Sequence, residues 1–103
     1  MAAEAHVESS GNEALALTYV NMVRDRAGLG ALNSSGAALL NDIYQERRVE
    51  LVGEGHRFFD LVRTGRAASE IGGFESSKNE LFPIPFEEIQ FANGNWDQNE
   101  GYN

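Results

Sequence analysis

The chain has 103 residues, 42% of them hydrophobic, which bounds it to one domain with a core of limited depth. Sixteen acidic residues against eight basic ones leave a net charge of −8, which argues against a nucleic-acid backbone or an anionic membrane surface as partner. The absence of cysteine excludes a disulfide frame, a thiolate metal site and a thiol nucleophile, and no apolar run is long enough to span a membrane. Residues 1–10 are small and polar and read as a flexible lead-in, without the basic start and apolar middle of a signal peptide. Ser10-Gly11-Asn12-Glu13 fits a capping box, so a first helix is expected from about Gly11 to Ala27. Its apolar stripe is Ala16, Tyr19, Val20, Val23 and Ala27, widened by Leu15 and Met22. Arg24 and Arg26 suit the negative end of that helix, and Gly28 is placed for a left-handed stop. Ser34 or Ser35 can cap a second helix opening near Gly36. Gly53 and Gly55 divide it into pieces of roughly 36–53 and 55–64. A short helical turn over 66–71 and a loop over 72–77 follow. Two prolines force Leu81-Phe82-Pro83-Ile84-Pro85 to be extended, with its apolar side chains packed on the helices. Residues 85–89 can form a short helix, and 93–103 are rich in glycine and asparagine and end irregularly.

The densest chemistry lies between Gln45 and Arg63. Leu40, Tyr44, Leu51, Phe58 and Val62 fall near one helical face, and Arg47, Arg48 and Glu50 intrude on it. Glu46, Glu50 and Glu54 are spaced to repel one another. Arg47 beside Glu50, and Glu54 beside Arg57, can offset this, leaving Arg48 and Arg63 to reach other segments. With His56 and Asp60 these residues read as a structural network that holds the fold, because buried charges require partners. His56 and Asp60 also have the spacing of an oriented histidine or of half a metal site. No third ligand accompanies them, since the other histidine, His6, falls in the lead-in. Sixteen carboxylates guarantee pairs at glycosidase distance by chance, and no spacing marks an acid and a nucleophile. There is no Walker loop, dinucleotide fingerprint or nucleophile elbow, and the triplet Asn33-Ser34-Ser35 matches a glycosylation sequon of a kind common by chance. Trp96, Tyr102, Phe91 and Tyr19 are aromatic faces on which sugar rings can stack. Trp96, in a polar loop, is the best candidate, against the plainer reading that it plugs the base of the helical layer.

Three blocks, in order, carry a resemblance. The first is Ala16-Leu17-Thr18-Tyr19-Val20-Asn21 continuing to Arg24-Asp25-Arg26-Ala27-Gly28. The second is Glu46-Arg47-Arg48-Val49-Glu50-Leu51 with Glu54-Gly55-His56-Arg57-Phe58-Phe59-Asp60-Leu61-Val62-Arg63-Thr64-Gly65. The third is Lys78-Asn79-Glu80-Leu81-Phe82-Pro83-Ile84-Pro85 with the tail Gln98-Asn99-Glu100-Gly101-Tyr102, where the family usually has proline in place of Glu100. Together they resemble the C-terminal region of the SusD/RagB family of glycan-binding outer-membrane lipoproteins of Bacteroidetes-type bacteria. The resemblance implies a mainly α fold related to tetratricopeptide repeats. In it a helical hairpin with a kinked second helix is wrapped by an extended C-terminal arm. Residues 11–103 would then be one SusD-like C-terminal segment. It also implies a non-catalytic, cofactor-free and metal-free protein at the cell surface. The full protein would capture oligosaccharides or other nutrients for a TonB-dependent outer-membrane transporter. Family members carry a signal peptide and a lipid-bearing cysteine, so this chain is expected to be a fragment or a truncated reading frame. Because the family's sugar contacts come largely from outside these blocks, the chain alone is expected to hold glycan weakly, with Trp96 as its one platform. From another class, a truncated interaction module would self-associate as a homo-oligomer through an exposed helix face. A small hydrolase would need convergent carboxylates in a pocket.

Overall fold

The computed structural model describes residues 1–102 and contains helices and connections, with no strand among the described residues. The helices are α1 (Ala2–Ser10), α2 (Glu13–Arg26), α3 (Gly36–Glu50), α4 (Arg57–Arg63), α5 (Ala67–Glu70) and α6 (Phe86–Phe91). None among the described residues is long and apolar enough to cross a membrane. The chain divides into two compact units, Met1–His56 and the residues from Arg57 onward.

In the first unit, residues 2–10 form a helix where a flexible lead-in was expected. Alanines at 2, 3 and 5 are strong helix formers, and Ala3, 2% exposed, is small enough to let α1 approach α2 closely. The helix ends at Gly11 in a left-handed turn, with Gly11 N–H donating to the Val7 carbonyl (3.2 Å) and Asn12 N–H to the His6 carbonyl (3.0 Å). Ala3, Ala16, Val20, Leu39 and Ile43 form the core, and Val7, Leu17 and Leu32 pack against it. The capping group of α2 is also different from the expected one. Ser10 is spent on α1, its hydroxyl donating to the His6 carbonyl, while the Asn12 side chain accepts from Leu15 N–H at 3.1 Å.

The connection from Ala27 to Ser35 runs back along α2. Gly28 makes the expected left-handed stop (φ +70°). Then Arg24 Nε donates to the Gly30 carbonyl (2.7 Å), Asn21 meets Leu32, and Gly36 N–H reaches the Glu13 carboxylate (3.0 Å). The start of α3 therefore lies beside the start of α2, and the ends of both helices meet through Arg24–Glu46 and Arg26–Glu50. Helices α2 and α3 run parallel. The helical hairpin is made by α1 and α2, not by the two helices that flank Gly28 to Ser35.

The buried stripe of α3 is Leu39, Ile43 and Glu46. Leu40, Tyr44 and Leu51, the expected face, are half-buried beside it. The expected kink is a full break. Gly53 (φ +81°) and Gly55 (φ +76°) adopt left-handed conformations that ordinary side chains resist, and six residues separate α3 from α4.

In the second unit, Leu61 of α4 and Ala67 of α5 are buried at 3% exposure each, and Phe58 contacts the rings of Phe59 and Phe74. The arm around Pro83 and Pro85 is extended as expected. Its apolar side chains are packed less than expected: Leu81 is 59% and Phe82 82% exposed, while Ile84 is half-buried. The arm is held through its backbone instead, by side chains of the tail that follows α6.

Candidate functional site

The loop after α6 turns on Asn93 (φ +50°) and Gly94 (φ +81°) and carries Trp96 outward. Asn93 N–H donates to the Gln90 carbonyl (3.2 Å) and Asn95 N–H to the Ala92 carbonyl (3.0 Å), which closes the helix end into a compact turn. Between α6 and this loop lies a shallow pocket of about 290 Å³, lined by Glu88, Phe91, Ala92, Asn93, Asn95 and Trp96. Its size is near the lower end of ligand pockets, which run from about 300 Å³ upward. Trp96 is 54% exposed, so it does not plug a helical layer among the described residues. The site combines aromatic faces with two amides and one carboxylate. Aromatic faces take the apolar C–H side of a sugar ring, and the polar groups can exchange hydrogen bonds with hydroxyls. Of the other aromatic candidates, Phe91 lines the same pocket. Tyr19 stacks on His6 (centroids 5.3 Å apart), and Tyr102 donates to the Leu81 carbonyl (3.1 Å) with Lys78 Nζ 5.7 Å from its ring centroid.

The base of this site is tied by amide side chains. Gln98 Oε1 accepts from Ile84 N–H at 2.7 Å and from Asn99 N–H at 2.9 Å, and Gln98 Nε2 donates to the Ile84 carbonyl at 2.8 Å. Asn99 Nδ2 donates to the Phe82 carbonyl at 2.6 Å. Nothing in the composition of the tail marked these roles. The available signal was that Pro83 and Pro85 leave Ile84 as the one amide donor between them, which requires an acceptor somewhere.

The charged residues expected to form one network are spread over both units. Glu50 pairs with Arg26, whose guanidinium is raised in pKa by that hydrogen bond first and by the carboxylate's charge second. Glu54 and His56 are exposed, 4.0 Å apart. Arg57 pairs with Glu70 (2.7 Å), which Arg66 also approaches (3.9 Å), and Asp60 pairs with Arg63 (3.3 Å). Arg47 is half-buried and Arg48 exposed. The buried ion pair is one the sequence reading missed: Glu46, 6% exposed, accepts from Arg24 at 2.8 Å. Arg24 was assigned to the helix dipole alone and Glu46 to repulsion along α3. A period shifted by one residue along α3 would have placed Glu46 inward. His56 directly precedes α4, and Asp60 lies within it beside Arg63. No group of three or more His, Cys, Asp or Glu suited to a metal occurs among the described residues.

Comparison with known proteins gives this geometry a lineage. The SusD family profile matches residues 1–80. SusD-like protein P2 of Formosa agariphila is 32% identical over 120 residues, covering 99% of this chain and 24% of that protein. SusD-like protein P25 of the same organism is 35% identical over 107 residues, covering 87% of this chain and 20% of that protein. Among solved structures, surface glycan-binding protein A from Bacteroides thetaiotaomicron superposes with a TM-score of 0.74 at 37% identity, over 96% of this chain and 22% of that one. The chain thus spans between a fifth and a quarter of the length of the relatives it matches. With more than three quarters of its length under the family profile and a shared helical architecture, the chain belongs to the SusD family.

Proposed function

We propose that the chain is part of a non-catalytic SusD-like protein that captures glycans at the outer-membrane surface and passes them to a TonB-dependent transporter. Within the chain, Trp96 is the sugar platform. The observation that carries this reading is the likeness, over 96% of the chain, to a surface glycan-binding protein. The exposed indole beside amides and a carboxylate supplies matching chemistry. The pocket is shallow and small, so the chain by itself binds sugar weakly. Trp96 is the sole tryptophan, which makes its emission a direct reporter of the site. The test is a fluorescence titration with oligosaccharides of several linkages, paired with gel electrophoresis through embedded polysaccharide. The expected result is a saturable shift of Trp96 emission at millimolar sugar, lost with competing polysaccharide, and retardation that Trp96→Ala abolishes. Unchanged emission with every sugar, and equal mobility of both proteins, overturns the platform.

A second reading, self-association, draws on a separate observation. Leu81, Phe82, Phe86 and Phe91 are each more than half exposed. Burying such side chains stabilises by about 1.5–3 kcal/mol apiece. Exposed apolar side chains also occur on the helices, at Met22, Val49 and Phe59, so the arm and α6 are one such surface among several. Light scattering should then give a mass that rises with concentration and falls to the monomer in Phe82→Ser.

A further inference from the structure

We infer that Gln98 is the positioning residue of the Trp96 site, clamping the loop that carries the indole onto the extended arm; this rests on Trp96 being the sugar platform. The arm offers few handles. Pro83 and Pro85 have no amide hydrogen, so Ile84 supplies the only N–H among residues 83–85. Its N–H and C=O form a donor–acceptor pair. A primary amide presents its acceptor and its donor on two separate atoms at one end, which lets it meet both groups of one residue side by side. Gln98 uses both, at 2.7 and 2.8 Å, and so does in one side chain what a neighbouring strand would do with its backbone. Its oxygen also accepts from Asn99 N–H, and Asn99 in turn donates to Phe82, so two successive side chains secure two alternate arm residues.

The consequence reaches Trp96 because the lever is short. The loop is anchored at one end by α6, which closes at Phe91, and at the other by Gln98, two residues beyond the indole. The turn contacts at Asn93 and Asn95 lie only at the α6 end. The far end of the loop is placed by Gln98 through its two bonds to Ile84. A platform must be held before a sugar arrives, since ordering it on binding would offset affinity.

Gln98→Glu keeps the length and shape of the side chain and removes the donor to Ile84 C=O. Gln98→Asn keeps both groups and shortens the reach by one carbon. Acrylamide quenching of Trp96 and oligosaccharide titration would be run on the wild type and both variants, with far-UV circular dichroism as the folding control. The expected result is unchanged helicity, faster quenching in both variants, and sugar binding weakened roughly three- to tenfold, the size of one lost hydrogen bond. If the wild type binds sugar and both variants match it in affinity and quenching, Gln98 does not position the site. If no protein binds sugar but both variants quench faster, the positioning stands and the sugar platform falls. If one variant loses helicity, the other decides on the same two measurements.

Discussion

Glu46→Gln should lower the stability of the first unit by about 2 kcal/mol, and Arg24→Ala should lower it further, by about 3–5 kcal/mol. The difference follows from which charge is left behind. Removing one member of a buried pair costs most when the orphan stays dry and unbonded. The Arg24 side chain is 22% exposed and also donates to the Gly30 carbonyl at 2.7 Å, so without the Glu46 charge it keeps water and an acceptor. The Glu46 side chain is only 8% exposed, and Arg24 is its hydrogen-bond partner at 2.8 Å. Arg24→Ala strands that carboxylate inside and removes the Gly30 bond as well. The assay is urea unfolding followed by far-UV circular dichroism, with the slope compared between variants to confirm that the same transition is measured. A double variant, Arg24→Ala with Glu46→Gln, should cost less than the sum of its parts, because the orphaned charge is gone. The reasoning fails if Arg24→Ala costs no more than Glu46→Gln, or if both stay within about 0.5 kcal/mol of the wild type, as surface substitutions do.

Three further outcomes are expected under the same urea assay. Glu50→Ala should move the midpoint less than Glu46→Gln, because the Arg26 side chain opposite it is 66% exposed and exposed pairs contribute little. Asn21→Ala should cost about 1–3 kcal/mol, since it removes two hydrogen bonds, from Leu32 N–H (2.7 Å) and to Leu32 C=O (3.0 Å), that hold the returning connection. Gly101→Ala should cost more than Gly53→Ala. Both positions have φ near +80°, at a strain of about 1–2 kcal/mol for a Cβ. Only at Gly101 does that Cβ meet side-chain carbons of Lys78, at 2.7–2.9 Å, whereas the space at Gly53 is open. Equal costs would mean that Lys78 moves aside freely.

Periodicity and punctuation made much of the fold legible. Ala16 and Val20 of the expected stripe are buried while its flanks at Tyr19, Met22 and Ala27 are exposed, Gly28 stops α2, and the glycines at 53 and 55 separate α3 from α4. Local rules failed where a segment's role depended on something distant in sequence. Residues 2–10 have little apolar pattern of their own, and their helix is held by Ala3 meeting α2 and α3, which no local signal announces. The ion pairs were misassigned for the same reason. Charge spacing within α3 suggested partners on α3, yet Glu46 and Glu50 are answered by Arg24 and Arg26 across a connection that sets α2 and α3 parallel. Trp96 was legible as a candidate because an indole in a polar loop lacks an obvious packing partner, but the groups that hold it were not.

Those holding groups share one physical logic. Asn21 brackets the N–H and C=O of Leu32, and Gln98 brackets the N–H and C=O of Ile84. In each case a connection runs extended with no strand beside it, and a single amide side chain satisfies both backbone groups. Half-buried backbone left unpaired is costly, and with no strand among the described residues there is no ladder to meet that need. The device explains why the two units keep extended segments in place while their arm side chains, Leu81 and Phe82, remain exposed. It also sets what substitution can be tolerated. Glutamate and aspartate lack the donor, lysine lacks the acceptor, and serine or threonine is too short to span both atoms. Asn21→Asp and Gln98→Glu, though nearly isosteric, should therefore release the backbone carbonyl and keep the amide, and truncation to alanine should release both. Hydrogen exchange at the Leu32 and Ile84 amides would show it: each should accelerate in its own alanine variant, Asn21→Ala or Gln98→Ala, and stay protected in the other. Acceleration of both amides in either variant would mean that the loss is global unfolding and not the release of one bracket.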